Sequence, residues 1–144
     1  MNVTETIFAL ALASNFDPKT NFEKAYKQIQ TLGETIFSDT YLIPCRDGVG
    51  EDYWNSACIL KSNVDVEALI QILKTLEMES GRIRPSHKIS LDVDLIAWGK
   101  NLNCMQFNPK KLPLALDVEI PLSDIWQDKQ FNIHAVKFPK VMNF

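Results

Sequence analysis

Apolar residues recur along this chain with two different periods. From about Thr6 to Leu12 nearly every position is apolar, the pattern of a central strand covered on both faces. Phe22, Ala25, Tyr26, Ile29 and Leu32 then repeat at three- and four-residue spacing, which predicts an amphipathic helix. Thr20-x-x-Glu23 has the form of a capping box for that helix, and Gly33 is its expected stop. Glu34 to Leu42, ETIFSDTYL, is rich in β-branched and aromatic residues and predicts a second strand that ends at Ile43-Pro44. Cys45 to Asp52 holds two glycines and no apolar period, so it reads as a loop. Tyr53 to Leu60 is the third expected strand, with Tyr53, Asn55 and Ala57 on one face and Trp54, Ser56 and Cys58 on the other. Asp65 then caps a second helix whose stripe is Val66, Leu69, Ile70, Leu73 and Leu76, with Gly81 at its end.

The fourth expected strand carries the chemistry. Leu91, Val93 and Leu95 alternate with Asp92 and Asp94, and alternate side chains of a strand leave the same face, so both carboxylates point one way. An ionised carboxylate is costly to bury without a partner. Mg²⁺ suits such a pair because it prefers carboxylate oxygen and completes its shell with water and substrate phosphates. Arg82 and Arg84 lie just upstream and are suited to hold the same phosphates. The plainer reading of the same residues is a half-exposed edge strand whose aspartates face solvent or pair with those arginines.

The strand closes at Gly99, and Lys100 to Asn103 is an expected turn. Beyond it the periodicity fades. Asn108 to Pro113 reads as loop, Leu116 to Ile120 as a short strand or a helix, and Phe131 to Phe144 as an edge strand weakened by Pro139. The order strand, helix, strand, strand, helix, strand predicts a ferredoxin-like α+β sandwich, an antiparallel sheet with both helices on one face and a C-terminal extension. A chain of 144 residues is expected to form one domain over 1–144.

Composition narrows the function classes. The formal charge of -3 gives no general attraction to nucleic acid or to anionic lipid. Cys45, Cys58 and Cys104 are odd in number and far apart, which argues against a disulfide framework or a zinc site and fits a reducing cytoplasm. The run Ile7 to Ala13, IFALALA, is too short to span a bilayer and has no basic residue before it. Neither a nucleic-acid nor a membrane partner is expected.

Gly81-Arg82-x-Arg84 followed by LDVDLIAWG resembles the GRxR and LDLD signature of the hydroxymethyl-dihydropterin pyrophosphokinases of folate synthesis. Ala13-Ser14-Asn15 is similar to that family's Gly-Ser-Asn turn, the Tyr53-x-Asn55 pattern to its third-strand start, and Pro121-Leu122-x-Asp124-Ile125 to its end. The resemblance implies an ATP-dependent diphosphokinase, a monomer, that releases AMP, with two Mg²⁺ ions held by Asp92 and Asp94 and with Arg82 beside the transferring group. It implies ATP contacts from Lys74, Glu77, Arg82, Arg84, His87 and Lys88. It implies a pterin side made of Tyr53, Asn55 and the backbone of Ile43, Pro44 and Cys45.

The chain also departs from the pattern. The loop between GRIR and LDVD is short and has no tryptophan, and Ile89 stands where the family has arginine. No aromatic lies near Asp117 to stack on a pterin, and the segment from Asn108 to Leu114 has no histidine. Two alternatives follow from these departures. One is transfer to another alcohol; the other is a nucleotide- or pterin-binding module without turnover.

Overall fold

In the computed structural model, which describes residues 4–45, 48, 50–83, 86–128, 131, 137–142 and 144, the first apolar run becomes β1 (Thr6–Ser14). It lies between β4 (Tyr53–Ser62) and β5 (Asp92–Gly99), antiparallel to both. That placement explains its composition, because a strand with neighbours on both edges and layers on both faces has no exposed position to give to polar residues.

The single strand expected over 34–42 is two strands. β2 (Gly33–Phe37) and β3 (Tyr41–Ile43) both run antiparallel to β4. Residues 38–40 between them stand opposite only Ser56 and Ala57, so one residue is extra and the ladder breaks there. Ser38 fills the gap: its N–H donates to the Ala57 carbonyl at 2.9 Å and its hydroxyl accepts from the Ala57 N–H at 2.8 Å. The pair ends at Ile43, just before Pro44, as expected. With β6 (Met105–Phe107) on the far edge, the sheet order is β2-β4-β1-β5-β6, with β3 also paired to β4. The expected ferredoxin-like order is therefore present, with its second strand broken in two.

Helix α1 (Pro18–Gln30) begins before the expected capping box. Pro18 takes the first turn, where its missing N–H costs nothing, and Asp17 precedes it at φ 48°; Thr20 and Glu23 lie inside the helix. Gly33 does not stop the helix, which ends at Gln30. Its absent side chain serves the sheet instead, since a Cβ there would collide with the Lys61 carbonyl. Helix α2 (Val66–Glu79) follows expectation: the Asp65 carboxylate accepts from the Ala68 N–H at 2.7 Å, and Gly81, at φ 88°, follows the Ser80 cap.

Both helices pack on one face. Phe22, Ala25 and Ile29 of α1 and Leu69, Leu73 and Leu76 of α2 meet Phe8, Leu10, Leu12, Leu60, Val93 and Leu95 of the sheet. Full burial of side chains of this size is worth about 1.5–3 kcal/mol each. The opposite face carries small residues, Ala9, Ala11, Ala57 and Ala97, and is partly covered by α3 (Leu116–Ser123) with Leu122 and Trp126. The stretch that read as either strand or helix is thus helical.

A register shift between β1 and β5 leaves Ile96 as the extra residue, so that Ile96 and Ala97 both join the α3 side while Leu95 stays with the helices. The C-terminal segment runs beside β3, with Lys140 bridged to Tyr41 and hydrogen bonds from Leu42 N–H to Pro139 O and from Val141 N–H to Thr40 O, both 2.8 Å. Much of the edge strand expected there, residues 132–136, lies outside the described residues. Among the described residues no helix is long and apolar enough to cross a membrane.

Candidate active site

Asp92 and Asp94 emerge on the face away from α1 and α2, as their alternation with Val93 and Leu95 requires. Across β1 their partners are Ala13 and Ala11. Alanine there leaves space above the sheet, and the space is a cleft of about 520 Å³. Its far wall is formed by Lys110, Lys111, Leu112 and Pro113 with the start of α3, including Asp117. Cys45, Tyr53 and Asn55 line the same cleft.

Three carboxylates converge at one end. Glu77, near the end of α2, turns toward the start of β5, and its Oε2 accepts from the Val93 N–H at 2.8 Å. One oxygen each from Glu77, Asp92 and Asp94 lie within 4.8 Å of one another. Two cations answer them. Arg82 sets a guanidinium nitrogen 3.8 Å from Asp92 Oδ1 and donates to the Leu91 carbonyl at 3.1 Å. Lys111 Nζ lies 3.0 Å from Asp94 Oδ1. Burial, and then a hydrogen bond and the charge of Glu77, push the Asp92 carboxyl above the usual carboxylate range, while Arg82 and Lys111 pull it back. Hard oxygen donors under mutual repulsion suit a hard divalent cation, so Asp92 and Asp94, with Glu77 beside them, fit Mg²⁺.

The other end brings an amide and an aromatic ring together. Asn55 is only 5% exposed, and among the described residues its Oδ1 has no hydrogen-bond partner. A buried acceptor left unpaired costs about 1–3 kcal/mol, and this oxygen has almost no accessible surface of its own, so the fold carries that cost at the cleft wall. Tyr53 stands on the same face beside it, and Ile43 pairs with Tyr53 across the β3 ladder, bringing the 43–45 backbone to the rim.

The family model for 7,8-dihydro-6-hydroxymethylpterin-pyrophosphokinase matches residues 9–137. The chain belongs to this family. No curated protein sequence matches it. Members of the pyrophosphokinase family are transferases of folate biosynthesis that use ATP and Mg²⁺, and the acidic pair lies within the matched span.

Several residues expected to meet nucleotide in a pyrophosphokinase do not line the cleft. Arg82 is not among its lining residues: the side chain is 10% exposed and donates to the Leu91 carbonyl beside Asp92. Lys74 is exposed on α2, one turn before Glu77. His87 and Lys88 are exposed on the loop before β5, with Lys88 Nζ 5.3 Å above the Phe16 ring. Ile89, in the arginine position of the family, is buried. Arg84 lies outside the described residues, as do positions 46, 47 and 49 of the loop after Cys45.

Sequence reasoning passed over two features. Asn15 ties the loop after β1 to the loop before β5: its amide donates to His87 O at 2.8 Å and accepts from Ile89 N–H at 2.5 Å. It also reaches Glu51 O at 3.5 Å, in the glycine loop. The signal for it was the Ser-Asn turn at the end of β1. Lys111 was the second, since a dibasic pair after Asn-Pro reads as an ordinary solvated turn.

Proposed function

We propose that this chain acts as a single-domain, monomeric cytoplasmic enzyme. It transfers the pyrophosphoryl group of ATP to the hydroxymethyl group of 6-hydroxymethyl-7,8-dihydropterin and releases AMP. The observation that carries this reading is that Asp92 and Asp94 line one cleft together with Tyr53 and Asn55. A polyphosphate end and a heterocycle end are then adjacent, as a direct transfer needs.

In this reading the Asn55 amide reads the pterin ring edge, Tyr53 packs against its plane, and the 43–45 backbone adds hydrogen bonds. Asp92 and Asp94 hold two Mg²⁺ ions with ATP; when bound, Mg²⁺ neutralises charge on the polyphosphate and on the departing AMP. The hydroxymethyl oxygen forms a bond to the β-phosphorus, the bond from that phosphorus to the AMP oxygen breaks, and the hydroxyl proton leaves to solvent. Arg82 holds the start of β5 by its bond to Leu91 and partly offsets the charge of Asp92. Lys74, Glu77, Arg84, His87 and Lys88 are assigned to the nucleotide side, with the last three closing over it to exclude water.

Transfer to a different alcohol is the second reading. It is favoured by Asp117, a carboxylate on the cleft wall where a stacking aromatic is expected. One assay separates the two: ATP, Mg²⁺ and 6-hydroxymethyl-7,8-dihydropterin are supplied and AMP is followed. AMP that depends on the pterin and disappears in Asp92→Ala supports the first reading. Mg²⁺-dependent binding of a non-hydrolysable ATP analogue with no AMP from the pterin rejects it.

A further inference from the structure

Two cations flank the acidic pair, and they are held in different ways. Arg82 is largely buried at the start of β5 and committed to a backbone carbonyl. Lys111 lines the cleft, its side chain is 35% exposed, and its ammonium meets Asp94 Oδ1 at 3.0 Å. The turn that carries it, Pro109–Lys111, is fastened to β5 itself. Asn108 donates from its backbone to Ile96 O at 2.8 Å and from its side chain to Leu95 O at 3.0 Å, and its Oδ1 accepts from Lys110 N–H at 3.1 Å. The strand that presents the carboxylates therefore also sets the place of the lysine.

An ammonium group on a carboxylate oxygen competes with a divalent ion for the same negative charge, and like charges a few ångströms apart repel. A long, half-exposed stem with three rotatable donors is able to leave one oxygen for another. We propose that Lys111 is a resident counter-cation: it neutralises Asp94 in the absence of a divalent ion, and passes to a phosphate oxygen of the nucleotide when ion and nucleotide enter together. This rests on the acidic pair binding Mg²⁺ and ATP, as proposed above. It gives Lys111 two effects of opposite sign, opposing the bare ion and favouring the nucleotide.

The test reads both signs. With nucleotide-free protein, Mn²⁺ serves as the probe of the metal alone and its affinity is measured by electron paramagnetic resonance. Lys111→Met and Lys111→Gln should bind Mn²⁺ about tenfold more tightly than wild type, a change of about 1.4 kcal/mol; Lys111→Arg should not. By titration calorimetry, Lys111→Met should bind a non-hydrolysable ATP analogue with Mg²⁺ about tenfold more weakly, with binding recovered in Lys111→Arg.

Unchanged or weaker Mn²⁺ binding in both neutral variants overturns the counter-cation role. Unchanged analogue affinity overturns the transfer to phosphate. A purely structural lysine would weaken both ligands together and lower the melting temperature. The pterin reading fails separately: a wild-type protein that binds the Mg²⁺ analogue without forming AMP from the pterin counts against that acceptor and leaves the lysine result standing.

Discussion

Neutralising Asp92 should make the metal-free protein more stable while removing its Mg²⁺ response. In Asp92→Asn the side chain keeps its size and one oxygen, but a negative charge leaves a group of three carboxylates whose oxygens lie within 4.8 Å. Two unit charges at that separation repel by roughly 3.5 kcal/mol at an effective dielectric of 20 and roughly 0.9 kcal/mol in bulk water. Arg82 at 3.8 Å offsets part of this, and the Asp92 side chain is 37% exposed, so solvent screens what remains. A net gain of about 1 kcal/mol follows, or ~3 °C in melting temperature for a domain of this size.

The sign of the pH dependence is set by the raised folded-state pKa of Asp92. The protonated carboxyl is the form the fold favours, so its contribution is present at acid pH and is lost as pH rises through the folded value. The advantage of Asp92→Asn should therefore grow from acid to neutral pH. Thermal melts in EDTA across that range measure it, and the same melts with Mg²⁺ and an ATP analogue should raise wild type but not the variant. A variant less stable than wild type at neutral pH in EDTA would refute the reasoning, because it would mean that Arg82 and Lys111 already make the ionised Asp92 a net stabiliser.

Three further outcomes are expected. Asn15→Ala removes both ends of the amide link between the loops after β1 and before β5 and leaves the buried Ile89 N–H unpaired, so urea unfolding should show a loss of about 1–3 kcal/mol. Asn55→Ala should weaken pterin binding by about tenfold or more, the scale of one or two lost hydrogen bonds, and leave ATP-analogue affinity unchanged in parallel titrations. Cys58 is fully buried, and desolvation pushes its thiol up to about 12; iodoacetamide should label exposed Cys104 and spare Cys58 in the native protein. Because that folded value lies above the ordinary thiol range, its contribution is intact below pH ~8.5 and is lost as pH rises toward about 12. Cys58→Ala should accordingly show a shallower alkaline fall in melting temperature.

Local pattern was enough for those features that depend on neighbours in sequence. The alternation from Leu91 to Leu95 determined that Asp92 and Asp94 share a face, because pleating makes that a property of any extended strand. The helical stripes of α1 and α2 determined which faces are buried, and Asp65 announced a helix start, since a cap acts within three residues. The acidic doublet with Gly81 and Arg82 upstream also pointed to the family whose model spans residues 9–137.

What escaped the sequence depends on contacts between distant positions. The break between β2 and β3 arises because Ser38 bonds Ala57 across the sheet, 19 residues away. Glu77 reaches Val93 across 16 residues, Lys111 reaches Asp94 across 17, and Asn15 meets Ile89 across 74. Arg82 reaches the Leu91 carbonyl across nine residues and stands 3.8 Å from Asp92, a pairing set by how α2 meets β5. Sequence thus determined which residue types were on hand and which way each strand displays them. Which cation stands against which carboxylate was decided by tertiary structure, because electrostatic partners are chosen by distance in space and not by separation along the chain.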